Sequence, residues 1–320
     1  MKLVHIDKPV CRIPTIAIHL NREQGTKLEL NKEDHTIPIL ATAIEESVKS
    51  DLSAIGKRHH PLLLEALEKH SGVKADSITE FELCLADYQK AEIGGLKEEF
   101  IYGPRLDNLL SSYTCLTALI NSEPTLADDE CCRVITLFDH EEIGSTSGQG
   151  ANSALPGYIL KRILYGVDPT ADTCALERAI PKSFCVSADM AHAIHPNYAS
   201  KHEGRMPLSL TGGPAIKFNT NQRYATNSQT ASILRMVAEE ANVPLQEICN
   251  RNDVPCGSTI GPITAGKLAV PTVDLGAPQL SMHSIREMCH VDCVEQCEDL
   301  FTTFFNTFGK YEAGDKFESE

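Results

Sequence analysis

Three apolar runs in this chain end in residues that can bind a metal or move a proton. Residues 134–138 lead into Asp139-His-Glu141-Glu142-Ile-Gly144-Ser145, and residues 184–187 lead into Ala188-Asp189. Residues 270–275 are followed by Gly-Ala-Pro and then Met282-His283-Ser284. In open α/β sheets the crevice beyond the carboxyl ends of the strands is where ligands bind, so carboxylates and an imidazole delivered there from separate strands converge. Glu141 and Glu142 are adjacent. On a regular strand they would face opposite ways, but where a strand yields to a turn both reach one cleft. One carboxylate can then hold a metal while the other, unligated, takes a proton from water whose pKa zinc lowers to about 7. Taken alone, such a pair is more often a solvated turn. Asp107, in Gly103-Pro-Arg-Leu-Asp107-Asn108, reads locally as the cap of a helix.

Other suggestive residues carry less. Cys289, Cys293 and Cys297 fall at i, i+4, i+8, one stripe on a helix. A soft metal could bind there, but free cysteine behaves as a small buried hydrophobe and a packed face is the better reading. Burial is also the default for Cys131-Cys132. The twelve cysteines in 320 residues show no regular framework spacing, which fits reduced thiols in a cytosolic protein. The Gly- and Ser-rich stretches 144–150 and 257–266 lack a Gly-Lys-Ser/Thr ending, so they read as tight turns beside the cleft rather than phosphate loops.

The elements that must position these residues divide near residue 98. Before it, residues 4–20 are apolar and β-branched, with Pro9 and Pro14 breaking them into short bent strands. Residues 36–50 and 61–70 have helical spacing, with Pro61 suited to a first turn. Phe81, Leu83 and Leu85 alternate with polar neighbours and predict a strand over 78–85, and Gly94-Gly95 makes a break. Beyond the boundary, strands at 134–138, 184–187 and 268–275 alternate with helices at 107–121, 152–166, 226–241 and 284–307. That is the pattern of an α/β sheet covered on both faces. Residues 309–320 read as a frayed polar tail.

Composition limits the partners. With 29 Lys+Arg against 44 Asp+Glu the net charge is −15, without a basic run or interleaved aromatics, which argues against nucleic acid and anionic membranes. No apolar run approaches the ~18–20 residues of a membrane span, and His5, Asp7, Lys8 and Arg12 interrupt any signal-peptide core. Small molecules, peptides or other subunits remain.

Four segments, taken in order, resemble the successive motifs of the aspartyl aminopeptidases. They are Arg105-Leu-Asp107-Asn108, Asp139 to Ser145, Ser187-Ala-Asp189-Met-Ala-His192-Ala-Ile-His195-Pro196, and Met282-His283-Ser284-Ile-Arg286-Glu287. The likeness runs from about residue 3 to residue 308. These enzymes are co-catalytic zinc exopeptidases that remove acidic residues from peptide N-termini. The resemblance implies an α/β zinc-exopeptidase sheet flanked by helices over 98–320 and a smaller β-rich oligomerisation domain over 1–97. It implies homo-oligomers and, in a complete member, two Zn2+ per subunit. Asp107 would bridge the metals, Glu142 and His283 would complete one site, Asp189 would contribute to the other, and Glu141 would be the general base. Lys217, Tyr224 and His192 would contact substrate, and His19 would enter a neighbouring subunit's site. Apart from the resemblance, His19 within its apolar run reads as a structural histidine and a lone lysine as solvated.

One family feature has no match. The family carries a further histidine ligand, in a His-x-Asp motif on a segment preceding the oligomerisation domain, and the chain is expected to lack that segment. His5-Ile6-Asp7 and His290-Val291-Asp292 are poor substitutes, the first in an expected oligomerisation strand and the second in an expected helix. The site of Asp107, Glu142 and His283 then keeps three protein ligands, while that of Asp107 and Asp189 keeps two and should bind metal weakly or not at all. An exposed sheet edge and apolar surface are expected as well. The leading reading is a cytoplasmic zinc aminopeptidase acting on N-terminal Asp or Glu. One alternative is a non-catalytic subunit that keeps the assembly surface without a complete two-metal site. Another is a co-catalytic hydrolase such as a deacylase, whose selectivity would not depend on Lys217.

Overall fold

The computed structural model describes residues 1–42 and 54–312, which fall into two units, Met1–Lys90 and Ala91–Glu320. Among its described residues the first unit holds one helix, α1 (Pro61–Ser71), two 3-10 turns and one β-bridge, Arg12↔Ile39. Pro61 opens α1, the His60 ring accepts the Leu62 N–H at 3.2 Å, and Gly72 ends it in the left-handed conformation. Leu64 and Leu67 pack with Ile55 and Phe81. The strands expected at 4–20 and 78–85 do not form. The alternation over 78–85 is real, but apart from the Arg12↔Ile39 bridge no described strand lies beside either segment to take up its backbone hydrogen bonds, and Leu83 and Leu85 stay exposed. Of the helix expected over 36–50, residues 36–42 are non-helical and 43–50 lie outside the described residues.

In the second unit the described strands form one sheet. They are β1 (Glu92–Gly94), β2 (Phe100–Gly103), β3 (Cys185–His192), β4 (Ala215–Phe218), β5 (Gln246–Cys249), β6 (Thr272–Leu280) and β7 (Glu287–His290). The central strand is β6. Along one edge it pairs in parallel with β3; its other edge is shared by β4 and β7, both antiparallel. Beyond these, β5 joins β4, while β2 and then β1 join β7. The boundary expected near residue 98 falls inside the β1–β2 hairpin.

The described helices are α2 (Leu106–Asn121), α3 (Leu155–Val167), α4 (Ala175–Ala179), α5 (Ser228–Ala241), α6 (Gly261–Leu268), α7 (Asp292–Thr307) and α8 (Gly309–Glu312). Strand alternation points Met190, Ile216, Val273 and Leu275 to one face, where α2, α5 and α7 bury Leu110, Leu234 and Leu300 against them. Asn227 and Thr230 cap α5 reciprocally. The opposite face carries a smaller cluster of Ala191, Leu208 and Ala215, and α6 begins there against the side chain of Asp274.

Two expected elements differ. Residues 134–138 are not a strand, since no described strand pairs with them and Val134 and Leu137 are exposed. The helix expected over 284–307 is β7 followed by α7, because Glu287–His290 pairs with both β2 and β6. Cys289 therefore sits on a strand and Cys293 and Cys297 on a helix, all three buried. The twelve cysteines form no disulfide. Among the described residues the outer edge of β3 is unpaired, and α2 exposes Leu109, Tyr113, Leu116 and Ile120 at helical spacing. Residues 309–312 are helical, 313–320 lie outside the described residues, and no described helix is long and apolar enough to cross a membrane.

Leu234 is fully buried between α5 and the sheet. Leu234→Ala should lower stability by about 2–5 kcal/mol in urea unfolding, whereas Leu116→Ala on the exposed stripe should change it by less than about 1 kcal/mol.

Candidate metal centre

Strand pairing gathers the polar residues at one end of the sheet. Gly103, the last residue of β2, lies opposite Glu287, the first of β7. The chain leaving β2 and the chain entering β7 therefore lie side by side, and they carry Asp107 and His283. Since β3 runs parallel to β6, whose end leads into the His283 turn, Asp189 and His192 arrive at the same end. Glu141 and Glu142 come from a 3-10 turn, Glu141–Ile143. That turn is held by Ser145 N–H on the His140 carbonyl at 2.8 Å and Asn152 N–H on the Ser145 carbonyl at 3.0 Å.

Each turn uses a non-glycine residue in the left-handed region: Arg105 (φ 58°), His140 (φ 60°) and His283 itself (φ 65°). Such backbone costs on the order of 1–3 kcal/mol and persists only where surrounding contacts determine it. Its effect is convergence. His283 Nε2 lies 3.1 Å from Asp107 Oδ2 and 3.1 Å from Glu142 Oε2, and the three donor atoms fall within 4.8 Å of one another. Among the described residues they are the one group of three or more such donors that can share an ion. Two carboxylates and an imidazole are a zinc donor set, and donors about 2.1 Å from one tetrahedral zinc lie about 3.4 Å apart, close to what is seen. The residues fit the ion. Asp107 is enclosed, at 6% side-chain exposure, while His283 at 61% opens to the cavity and solvent.

Electrostatics show the crowding. Burial pushes the Asp107 carboxyl up to about 8, helped by the negative charges of Asp189, Glu142 and Glu287. Burial likewise raises Glu141, reinforced by Asp189 and Glu142. Burial also raises Glu142, although His283 opposes it. At Asp189 burial acts upward too, but the adjacent Lys217 ammonium holds the carboxylate below its ordinary value.

Lys217 reaches Asp189 from two strands away. It lies on β4 and Asp189 on β3, with β6 between, and Lys217 Nζ to Asp189 Oδ2 is 2.8 Å. Strands are spaced ~4.8 Å, so the side chain must cross β6. It crosses at Gly276, where a Cβ would stand 2.7 Å from Lys217 Cε. The ammonium also lies 5.5 Å from the centre of the buried Tyr224 ring. Asp107, Glu141, Glu142, Asp189, His192, Lys217, Tyr224 and His283 all line one cavity of about 370 Å³. His19 lies in an exposed turn of the first unit.

Three contributors have roles that motifs do not show. Gly276 is the first. Asp274, fully buried on β6, accepts Ala225 N–H at 2.5 Å and Thr259 Oγ1–H at 2.6 Å, fixing the segments that carry Tyr224 and Thr259 into the cavity wall. Its signal is a lone carboxylate inside an apolar run. Glu287, also buried, accepts N–H groups from Asp107 and His283. It stands within a recognised motif but without an assigned role.

The family model for Aminopeptidase I zinc metalloproteases (M18) matches residues 1–305. The chain belongs to the M18 family. A probable aspartyl aminopeptidase of Ricinus communis is 44% identical over 96% of this M18 chain and 67% of its own length. A chain in the cryo-EM structure of the Ape4 and Nbr1 complex shares 42% identity, with a TM-score of 0.91 over 99% of this chain and 61% of that one. The S. cerevisiae mApe1 dodecamer shares 29% identity, with a TM-score of 0.81 over 98% of this chain and 65% of that one. The M18 chain thus spans about two thirds of the length of the relatives it matches.

Zinc titrated into metal-free protein should raise the melting temperature, as expected from about 2.7 kcal/mol of stabilisation at a hundredfold excess over Kd. Metal analysis after dialysis should find one tightly held ion per chain. His283→Ala should abolish the shift, and two equally tight ions in the parent protein would contradict the three-donor assignment.

Proposed function

We propose that this chain is a zinc-dependent aminopeptidase that removes N-terminal Asp or Glu from peptides. The observation that carries the proposal is the convergence of Asp107, Glu142 and His283, with Glu141 beside them on the same turn, in one cavity at the carboxyl end of the central strands. Zinc, when bound, supplies the positive charge that polarises a peptide carbonyl and acidifies water. Glu141, outside the donor trio, is placed to take the proton from the attacking water and return it to the departing amine. Proton transfer by such a positioned base contributes about 10²–10⁴-fold. Asp107 and Asp189, which line the same cavity, would form a second and poorer cation position.

Acidic selectivity falls to Lys217, Tyr224 and His192. An ammonium has three N–H donors, and Lys217 commits one direction to Asp189. Those remaining suit a substrate carboxylate, and the name of the Ricinus relative supports that substrate class. His19 from a neighbouring copy would complete the pocket, with the first unit as the assembly module. The dodecameric relative supports homo-oligomers. Twelve cysteines without a disulfide suit a reducing compartment such as the cytosol.

A second reading is a subunit that assembles but does not turn over. It draws on the occupation of Asp189 by Lys217 and on the lack of a third donor for the second position among the described residues. Turnover of Asp- and Glu-amides decides between the two.

Glu141→Gln should lower kcat by about 10²–10⁴-fold and leave zinc content unchanged. Full turnover in that variant would remove Glu141 from the role. Across a panel of amino-acid amides, Lys217→Ala should raise KM for acidic residues by at least about tenfold relative to neutral ones. An unchanged profile would favour a deacylase-type hydrolase with other selectivity.

A further inference from the structure

We propose that Glu287 is a positioning residue for the metal centre, holding the main chains of Asp107 and His283 so that their side chains converge. The inference rests on Asp107, Glu142 and His283 being the zinc donors. Glu287 is 1% exposed at the start of β7. Its Oε2 accepts the Asp107 N–H at 2.9 Å and its Oε1 accepts the His283 N–H at 2.7 Å. Each oxygen is thereby aimed at a backbone donor rather than into the cavity.

Both N–H groups need such an acceptor. Asp107 lies at the kinked, non-helical start of α2, ahead of any regular turn that could give its amide a partner. His283 lies in the β6–β7 connection, outside the strand ladder, and in the left-handed region. One carboxylate serves both and joins two segments that are distant in sequence. Hydrogen bonds to an ionised acceptor are roughly twice as strong as neutral ones. A buried carboxylate beside Asp107 and Glu142 is an electrostatic cost, and a residue placed only to fill space could be apolar. An amide of the same shape offers one acceptor oxygen and one NH2 donor group, so Glu287→Gln sets donor against donor at one of the two contacts. The turn that loses its acceptor relaxes, and its ligand moves away from the other two.

The test compares the parent chain of 320 residues, E287Q, E287D and H283A. Zinc affinity is measured by competition with a chromophoric chelator, metal-free stability by thermal melting, and amide hydrogen exchange by mass spectrometry. E287Q should fold, bind zinc about 10–100-fold more weakly, and exchange faster in the peptides covering 107 and 283. E287D, which keeps both acceptor oxygens on a shorter stem, should fall between it and the parent. Parent-like zinc affinity in E287Q overturns the proposal. So does failure of both variants to fold, because Glu287 would then serve the fold as a whole. A parent that binds no zinc, with H283A indistinguishable from it, removes the metal reading itself and this inference with it.

Discussion

Like charges brought together in a poorly solvated place repel one another, and the end of this sheet holds five carboxylates with a single lysine among them. Asp107, Glu141, Glu142 and Asp189 line the cavity, and Glu287 lies beneath it. Two unit charges 4 Å apart interact by about 4 kcal/mol at the effective dielectric of a protein surface, so several such pairs rival the stability of a domain. The surroundings can be understood as answers to that repulsion. Lys217 neutralises Asp189, His283 stands between Asp107 and Glu142, and two backbone N–H groups bond to Glu287. A divalent cation among the donors answers it most directly.

The helices were largely legible because their cause is local. Pro61, the capping pair at Asn227 and Thr230, and apolar spacing mark α1 and α5 within one segment. Strands depend on a neighbour, which a linear sequence does not display. Residues 78–85 alternate and residues 134–138 form an apolar run, both as strands do, and neither finds a described partner. Glu287–His290 pairs on both sides although Cys289, Cys293 and Cys297 keep a helix-like spacing of four. At the centre, residues whose side chains line the cavity stood in readable segments. The roles of Glu287, Asp274 and Gly276 did not declare themselves, since the two carboxylates act on main-chain N–H groups and the glycine by having no side chain.

Lys217 shows how one constraint serves two purposes. Its crossing over Gly276 ties β4 to β3 across β6, the strand between them. The same crossing leaves the ammonium at the cavity wall against the Tyr224 ring, so the charge that quiets Asp189 also borders the cavity. On the proposed reading, that is the local exception by which an acidic protein would hold an acidic ligand.

The three donors enter from the start of α2, the 141–143 turn and the β6–β7 connection, which lie far apart along the chain. No short fragment contains the centre. Contacts of such long sequence separation form late in folding because loop entropy must be overcome first. On the proposed assignment, an ion held by all three donors would record that the sheet beneath them has already been assembled.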